Sequence, residues 1–230
     1  MKVLLAGDQH GSLQDTTMVL EYAVTLGAEL VIVLGDFGFV WDPSSTYDFD
    51  HLTRELKERG LKLWWLDGNH ENFDHLRAAY GIDVDKTFAT LNTIPMSETI
   101  SYLPRGHTFV LDQMTFMAFG GAVSVDKQWR IEGESWWPQE LITDEQVDAV
   151  PELPVDVLLS HDIHTLSPIL HGELMKLDWK LDALSNHNRH QVDRVVAKVT
   201  PKAIFHGHYH KRYADKIDGI RVYGLNCGAR

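Results

Sequence analysis

Five short stretches of the chain set side chains capable of metal ligation or proton transfer directly after an apolar run. They are Asp8 and His10 in Gly7-Asp8-Gln9-His10-Gly11, Asp36 in Gly35-Asp36-Phe37-Gly38, and Asn69 and His70 in Gly68-Asn69-His70-Glu71. His161, followed by Asp162, and the pair His208 and His210 in Gly207-His208-Tyr209-His210 complete the set. Each stretch alone reads as a turn or a helix cap. Together they offer two carboxylates, one amide and five imidazoles, a collection that is costly to hold close together unless a cation shares it. Carboxylate, imidazole and amide oxygen suit Mn, Fe, Zn, Ni or Co. Without His70 there are seven candidate ligands. That is too many for one ion with an open position, and enough for two ions sharing a carboxylate. Two metals about 3.5–4 Å apart serve the hydrolysis of phosphate esters: they polarise the phosphoryl oxygens and bring the pKa of a bound water from about 15.7 toward 7. A histidine outside the ligand set can protonate the leaving oxygen, and His70 is assigned that role.

The elements that must position these groups follow from the apolar pattern. Val3–Ala6, Leu30–Leu34 and Lys62–Leu66 read as strands, the first two apolar throughout, and helices are expected over Leu13–Leu26 and about Phe49–Arg59. Strand, helix, strand, helix, strand with short links implies parallel pairing, and ligands in such sheets lie beyond the carboxyl ends of the strands. From Thr99 to Phe119 short strands and tight turns predict an antiparallel portion of a second sheet. Thr143 to Gln146 has the spacing of a capping box, so a helix is expected to reach about Val150. Strands are expected at Val155–Ser160, Ala203–His206, Tyr213–Ile217 and Ile220–Leu225, with a turn at Asp218-Gly219. The polar segment from Asp178 to His190 carries no assignable period, and a helix is expected only beyond it, to about Lys198. The aromatic residues Phe37, Phe39, Trp41 and Tyr47 read as a hydrophobic cluster at the sheet rim. A tryptophan-rich loop after Gly120-Gly121-Ala122 carries Lys127 and Arg130, which are candidates for holding a substrate phosphate.

Composition narrows the function classes. The chain has 230 residues and a formal net charge of -12, with no basic block, which argues against an extended duplex-DNA surface. A small phosphorylated ligand is compatible, its charge met locally by metal ions. Cys227 is the single cysteine, so a disulfide framework and a thiolate cluster are not expected, and a reducing, cytoplasmic setting is. No apolar stretch approaches the roughly 20 residues that span a bilayer. The pattern is that of one α/β domain over residues 1–230. Composition and spacing carry no information on oligomeric state.

Asp8-x-His10, Gly35-Asp36, Gly68-Asn69-His70-Glu71, His161 and Gly207-His208-x-His210, in this order, resemble the calcineurin-like metallophosphoesterase family, and in particular its small bacterial or phage phosphodiesterases. The resemblance implies a four-layer α/β/β/α sandwich of two mixed β-sheets flanked by helices. It implies that Asp8, His10, Asp36 and His210 hold one divalent ion, that Asp36, Asn69, His161 and His208 hold the other, and that Asp36 bridges them, with manganese as the expected metal. Phosphoprotein phosphatases of the family carry Asp-Arg-Gly soon after the second motif, where this chain has Phe37-Gly38-Phe39-Val40. The expected reaction is therefore hydrolysis of small phosphodiesters or nucleotides, 2′,3′-cyclic nucleotides among them. A phosphomonoesterase and a non-catalytic scaffold with the same fold are the alternatives.

Overall fold

The computed structural model describes residues 1–90, 92–171 and 179–228. Strands β1 (Val3–Ala6), β2 (Leu30–Leu34) and β3 (Lys62–Leu66) pair in parallel, linked by helices α1 (Leu13–Leu26) and α2 (Tyr47–Arg59). Helix α1 starts at Ser12, whose side chain accepts from the Asp15 amide, and stops at Gly27 in the left-handed region. After β3 comes α3 (Phe73–Tyr80), then β4 (Ile94–Pro95) and β5 (Ile100–Tyr102). A β-hairpin of β6 (His107–Leu111) and β7 (Met114–Phe119) leads through the tryptophan-rich loop to α4 (Asp144–Ala149). The chain continues through β8 (Val157–Ser160), α5 (Trp179–Val199), β9 (Ala203–His206), β10 (Tyr213–Ile217) and β11 (Ile220–Gly224).

Two mixed sheets result, ordered β1-β2-β3-β5-β4 and β10-β11-β9-β8-β7-β6. Alternation along each strand sorts its side chains between layers. In β2, Leu30, Ile32 and Leu34 enter the core between the sheets beside Val157, Leu159 and Phe116, whereas Val31 and Val33 join Leu20 and Ala23 of α1. In the second sheet Leu158 and Ile204 point the other way, against Val147 of α4 and Val192, Val195 and Val199 of α5. The layers are thus helices, sheet, sheet, helices.

Two expectations change. The segment Thr99–Phe119 does not enter the second sheet as a unit. Ile100 pairs in parallel with Leu63, and Tyr102 with Trp65, so β5 belongs to the first sheet. Ile100 and Tyr102 are needed in the core around Trp65, and the chain crosses to the second sheet only at Pro104-Arg105-Gly106. Helix α5 begins at Trp179, inside the segment that lacks an apolar period. Its buried positions include the polar residues Asn188, Arg189 and Gln191, and Asn188 satisfies both the Ile142 amide and the Asp162 carboxylate, so burial there does not need apolar residues.

Candidate active site

β1, β2, β3, β8 and β9 all end at the same rim, and the loop after each brings in its polar group. The backbone is laced across that rim: the amides of Gln9 and His10 both donate to the Asp36 carbonyl, at 3.0 and 2.8 Å, and the Gly11 amide to the Phe37 carbonyl at 3.0 Å. His10, Asp36, His208 and His210 all have positive φ, between 48° and 68°. Four non-glycine residues in this region at one site mark a backbone held by its surroundings in a sparsely populated conformation, as functional loops often are. The loops approach so closely that several rim positions require glycine: a Cβ on Gly68 would collide with the Asp36 carboxylate and His161, and one on Gly207 with the Asp8 carboxylate.

Asp36 stands at the centre with its two oxygens facing different donors. Oδ2 is 3.9 Å from His10 Nε2, while Oδ1 is 3.2 Å from His161 Nε2 and accepts from the His70 amide at 2.8 Å. On the first side, Asp8 Oδ2 is 2.9 Å from His210 Nε2 and 3.9 Å from His10 Nε2, and the two imidazole nitrogens are 3.1 Å apart. On the second side, His161 Nε2 is 3.2 Å from Asn69 Oδ1, and the His208 ring lies 5.1 Å from that of His161. Six of the seven candidate ligands are therefore linked to Asp36 directly or through one another, and His208 adjoins them through its ring against His161.

Neighbouring groups orient these donors. His161 Nδ1 donates to the Leu34 carbonyl at 2.6 Å, which turns Nε2 toward Asp36. Asn69 Nδ2 donates to Ser124 Oγ at 3.3 Å, leaving the amide oxygen toward His161. Ser124 in turn donates through its hydroxyl and its amide to the buried Glu140, at 2.6 and 2.8 Å, and burial pushes the Glu140 carboxyl up to about 7. Glu71 accepts from the Phe37 amide at 2.8 Å and ties the β2 and β3 loops together. Immediately before the Asn69 loop, the buried Asp67 pairs with the buried Arg105 and accepts from the Tyr102 hydroxyl. Sequence reading assigned no role to Ser124, Glu140 or Arg105. Nothing local marks them: Arg105 sits in a Pro-Arg-Gly turn and Glu140 follows Gln139, and only the fold buries all three.

The electrostatics suit cation binding. Burial would raise the Asp36 carboxyl, but the His161 charge and hydrogen bond outweigh it and hold it well below the usual carboxylate range. Burial likewise works against protonation of His161, yet Asp36 and Asp8 drive its pKa up to about 10. A positive charge is thus strongly favoured where the two carboxylates meet, and the mixed oxygen and nitrogen donors fit divalent transition metals.

His70 lies at the edge of this group. Burial, reinforced by Arg130 and opposed by Asp36, brings its pKa down to about 4. Arg130 Nη2 is 3.1 and 2.9 Å from its two ring nitrogens, and the guanidinium is braced by Asp126 at 2.7 Å and the Ser135 carbonyl. His10, Asp36 and His70 also offer donor atoms within 4.8 Å of one another, so the geometry alone does not separate His70 from the ligands. Lys127 behaves differently: its Nζ sits 3.8 Å over the Trp136 ring. The two basic residues grouped together in the sequence thus have separate partners. Phe37 and Phe39 are buried, Phe37 stacking on Trp65 at 4.8 Å, and Trp41 packs against Trp137, but Tyr47 is exposed and stands outside the expected cluster. His206 is outside the donor set, with its ring nitrogens 2.9 Å from the Gly207 carbonyl and 2.6 Å from the Tyr213 hydroxyl.

An α/β sandwich with carboxylate, amide and imidazole donors converging at the sheet rim defines the class of metal-dependent phosphoester hydrolases. A sequence model of the calcineurin-like phosphoesterases matches residues 1–212, and the chain belongs to this family. No curated protein matches it in sequence. Among solved structures it is similar to TT1561 of Thermus thermophilus, with 14% identity, 99% of this chain and 89% of that one covered, and a TM-score of 0.58. A dimetal phosphatase from Danio rerio gives 14% identity, coverage of 98% and 87%, and a TM-score of 0.58. A putative 5′-nucleotidase from Staphylococcus aureus gives 13% identity, coverage of 98% and 48%, and a TM-score of 0.50. These likenesses show the fold. Among the described residues no helix is long and apolar enough to cross a membrane.

Proposed function

We propose that the chain is a dinuclear phosphodiesterase acting on small diesters, 2′,3′-cyclic nucleotides among them. The observation that carries this reading is Asp36, whose two carboxylate oxygens face separate donor groups, as a residue shared by two ions must. Asp8, His10, Asp36 and His210 would hold one ion and Asp36, Asn69, His161 and His208 the other, and these oxygen and imidazole donors admit manganese among the divalent transition metals. The bound ions supply Lewis-acid polarisation of the phosphoryl oxygens and a water of lowered pKa. Asp36 orients both donor groups, and the Ser124–Glu140 pair keeps the Asn69 oxygen turned inward. His70, held neutral at pH 7 by burial and Arg130, would take a proton from solvent as the anionic phosphoryl group arrives, because a nearby negative charge favours the imidazolium. It then delivers that proton to the leaving oxygen.

Arg130 would contact a phosphate oxygen from its place against His70. Lys127, occupied by Trp136, would contribute less, and one cation at the mouth matches the single charge of a diester better than the dianion of a monoester. A phosphomonoesterase, which would need Lys127 as well as Arg130 on its dianionic substrate, is the second reading. The acidic chain, at -12, disfavours extended duplex DNA. The same reading covers a single domain over residues 1–230 and a cytoplasmic setting.

The test is a paired assay on chelated enzyme re-supplied with Mn²⁺, comparing bis-p-nitrophenyl phosphate with p-nitrophenyl phosphate and including 2′,3′- and 3′,5′-cyclic nucleotides. Metal-dependent turnover favouring the diester is expected. Preference for the monoester would replace this reading with the phosphatase, and no turnover despite two bound ions would replace it with a scaffold.

A further inference from the structure

As the single cysteine, Cys227 gives no sequence signal for a thiolate site, but the fold places it in a group of metal donors. Its Sγ and one ring nitrogen each of His10 and His210 lie within 4.8 Å of one another. The end of the chain builds this placement. The Leu225 amide donates to the His206 carbonyl at 2.9 Å, and the Gly228 amide to the Asp8 carbonyl at 2.7 Å. Cys227 is thereby pinned between the turn bearing Asp8 and His10 and the strand end leading to His208 and His210. The neighbouring donors are already close, His10 and His210 Nε2 at 3.1 Å and His210 Nε2 and Asp8 Oδ2 at 2.9 Å. On a shared tetrahedral zinc ion, bonds of about 2.3 Å to sulfur and about 2.1 Å to nitrogen set the two atoms about 3.6 Å apart. From separations within 4.8 Å, side-chain movement of no more than about 1.2 Å brings the thiol onto the same ion as the imidazoles.

We propose that Cys227 is a further donor to the ion at Asp8, His10, Asp36 and His210, and that it makes this position favour softer divalent ions, Zn²⁺, Co²⁺ or Fe²⁺, over Mn²⁺. Thiolate is the softest donor in the chain's set, and donor softness is what discriminates among these metals. As the sulfur–metal bond forms the thiol proton leaves to solvent. The position at Asn69, His161 and His208 has no thiol in its donor set, so the two positions differ in preference and a mixed-metal centre follows. This inference rests on the metal-centre reading above and is independent of the choice between diester and monoester.

Chelated protein is titrated with Co²⁺ and its near-ultraviolet absorption followed. The wild type is expected to develop a thiolate-to-cobalt charge-transfer band that Cys227→Ser lacks, with the variant's affinity for one Co²⁺ reduced about tenfold. Because the chain has one cysteine, the rate of iodoacetamide alkylation of wild-type protein reads the same bond without a variant. Cobalt-loaded protein should react at least about tenfold more slowly than chelated protein. Identical spectra for the wild type and a folded Cys227→Ser, or equal alkylation rates with and without cobalt, overturn the proposal. Failure of the wild type to take up Co²⁺ overturns it together with the metal centre, whereas the outcome of any hydrolysis assay leaves it standing.

Discussion

Replacing Arg105 with methionine tests how the Asn69–His70 loop is held. The guanidinium is fully buried and contacts Asp67 Oδ2 at 2.6 Å through Nη2 and 3.0 Å through Nε. It also donates to the Leu141 carbonyl at 2.7 Å, to Gln146 Oε1 at 2.8 Å and to the Gln139 carbonyl at 2.8 Å, joining the end of β3 to the segment that enters α4. Arg105→Met leaves the Asp67 carboxylate buried with the Tyr102 hydroxyl as its remaining side-chain donor. Removing one partner of a buried ion pair costs about 3–5 kcal/mol. At roughly 2–4 °C per kcal/mol for a chain of this size, a loss of about 4 kcal/mol lowers the melting temperature by roughly 8–16 °C. The assay is thermal and urea unfolding of Arg105→Met, Asp67→Asn and the double variant. Much of the single-variant cost is an uncompensated charge, so the double variant should be more stable than the sum of the two losses predicts, by at least about 2 kcal/mol. A single variant within about 1 kcal/mol of wild type, or strict additivity, would refute the argument that Asp67 needs this partner.

Two substitutions separate ligand from proton donor. Asp36→Asn is expected to lose both metal content and activity, because both donor groups share that carboxylate. His70→Ala should retain two metals by elemental analysis and lose about a hundred- to ten-thousandfold in turnover; release of metal instead would make His70 a ligand. Stability should also depend on pH. The pKa of His161 is raised to about 10 in the metal-free fold, against about 6.5 unfolded. Its protonation therefore stabilises the metal-free protein fully below pH 6.5, and that contribution is lost as pH rises through about 10. Denaturant midpoints of chelated protein should fall over this window and those of metal-loaded protein should not follow. At pH 7 metal loading should release a proton from His161, measurable by calorimetry in buffers of different ionisation enthalpy; a heat independent of the buffer would contradict it.

The strands β1, β2, β3 and β9 and the donors at their ends were legible in the sequence, because a buried strand needs an unbroken apolar run and a close-packed rim needs glycine beside its polar residues. The capping box at Thr143 is equally local, requiring only residues three positions apart. Other features depend on partners far along the chain. Asp8 and His210 are 202 positions apart, and only the packing of one sheet on the other sets which Asp36 oxygen faces which histidine. The same packing drew β5 into the first sheet, where the core around Trp65 required Ile100 and Tyr102. It gave Arg130 to His70 and Lys127 to Trp136, although both sit on one loop with the same charge. It also carried Cys227 beside His10 and His210. The kinds of donor and the strand ends that bear them follow from short-range pattern. Their pairing comes from the packing of the two sheets, since contacts between residues far apart in the chain leave no local trace.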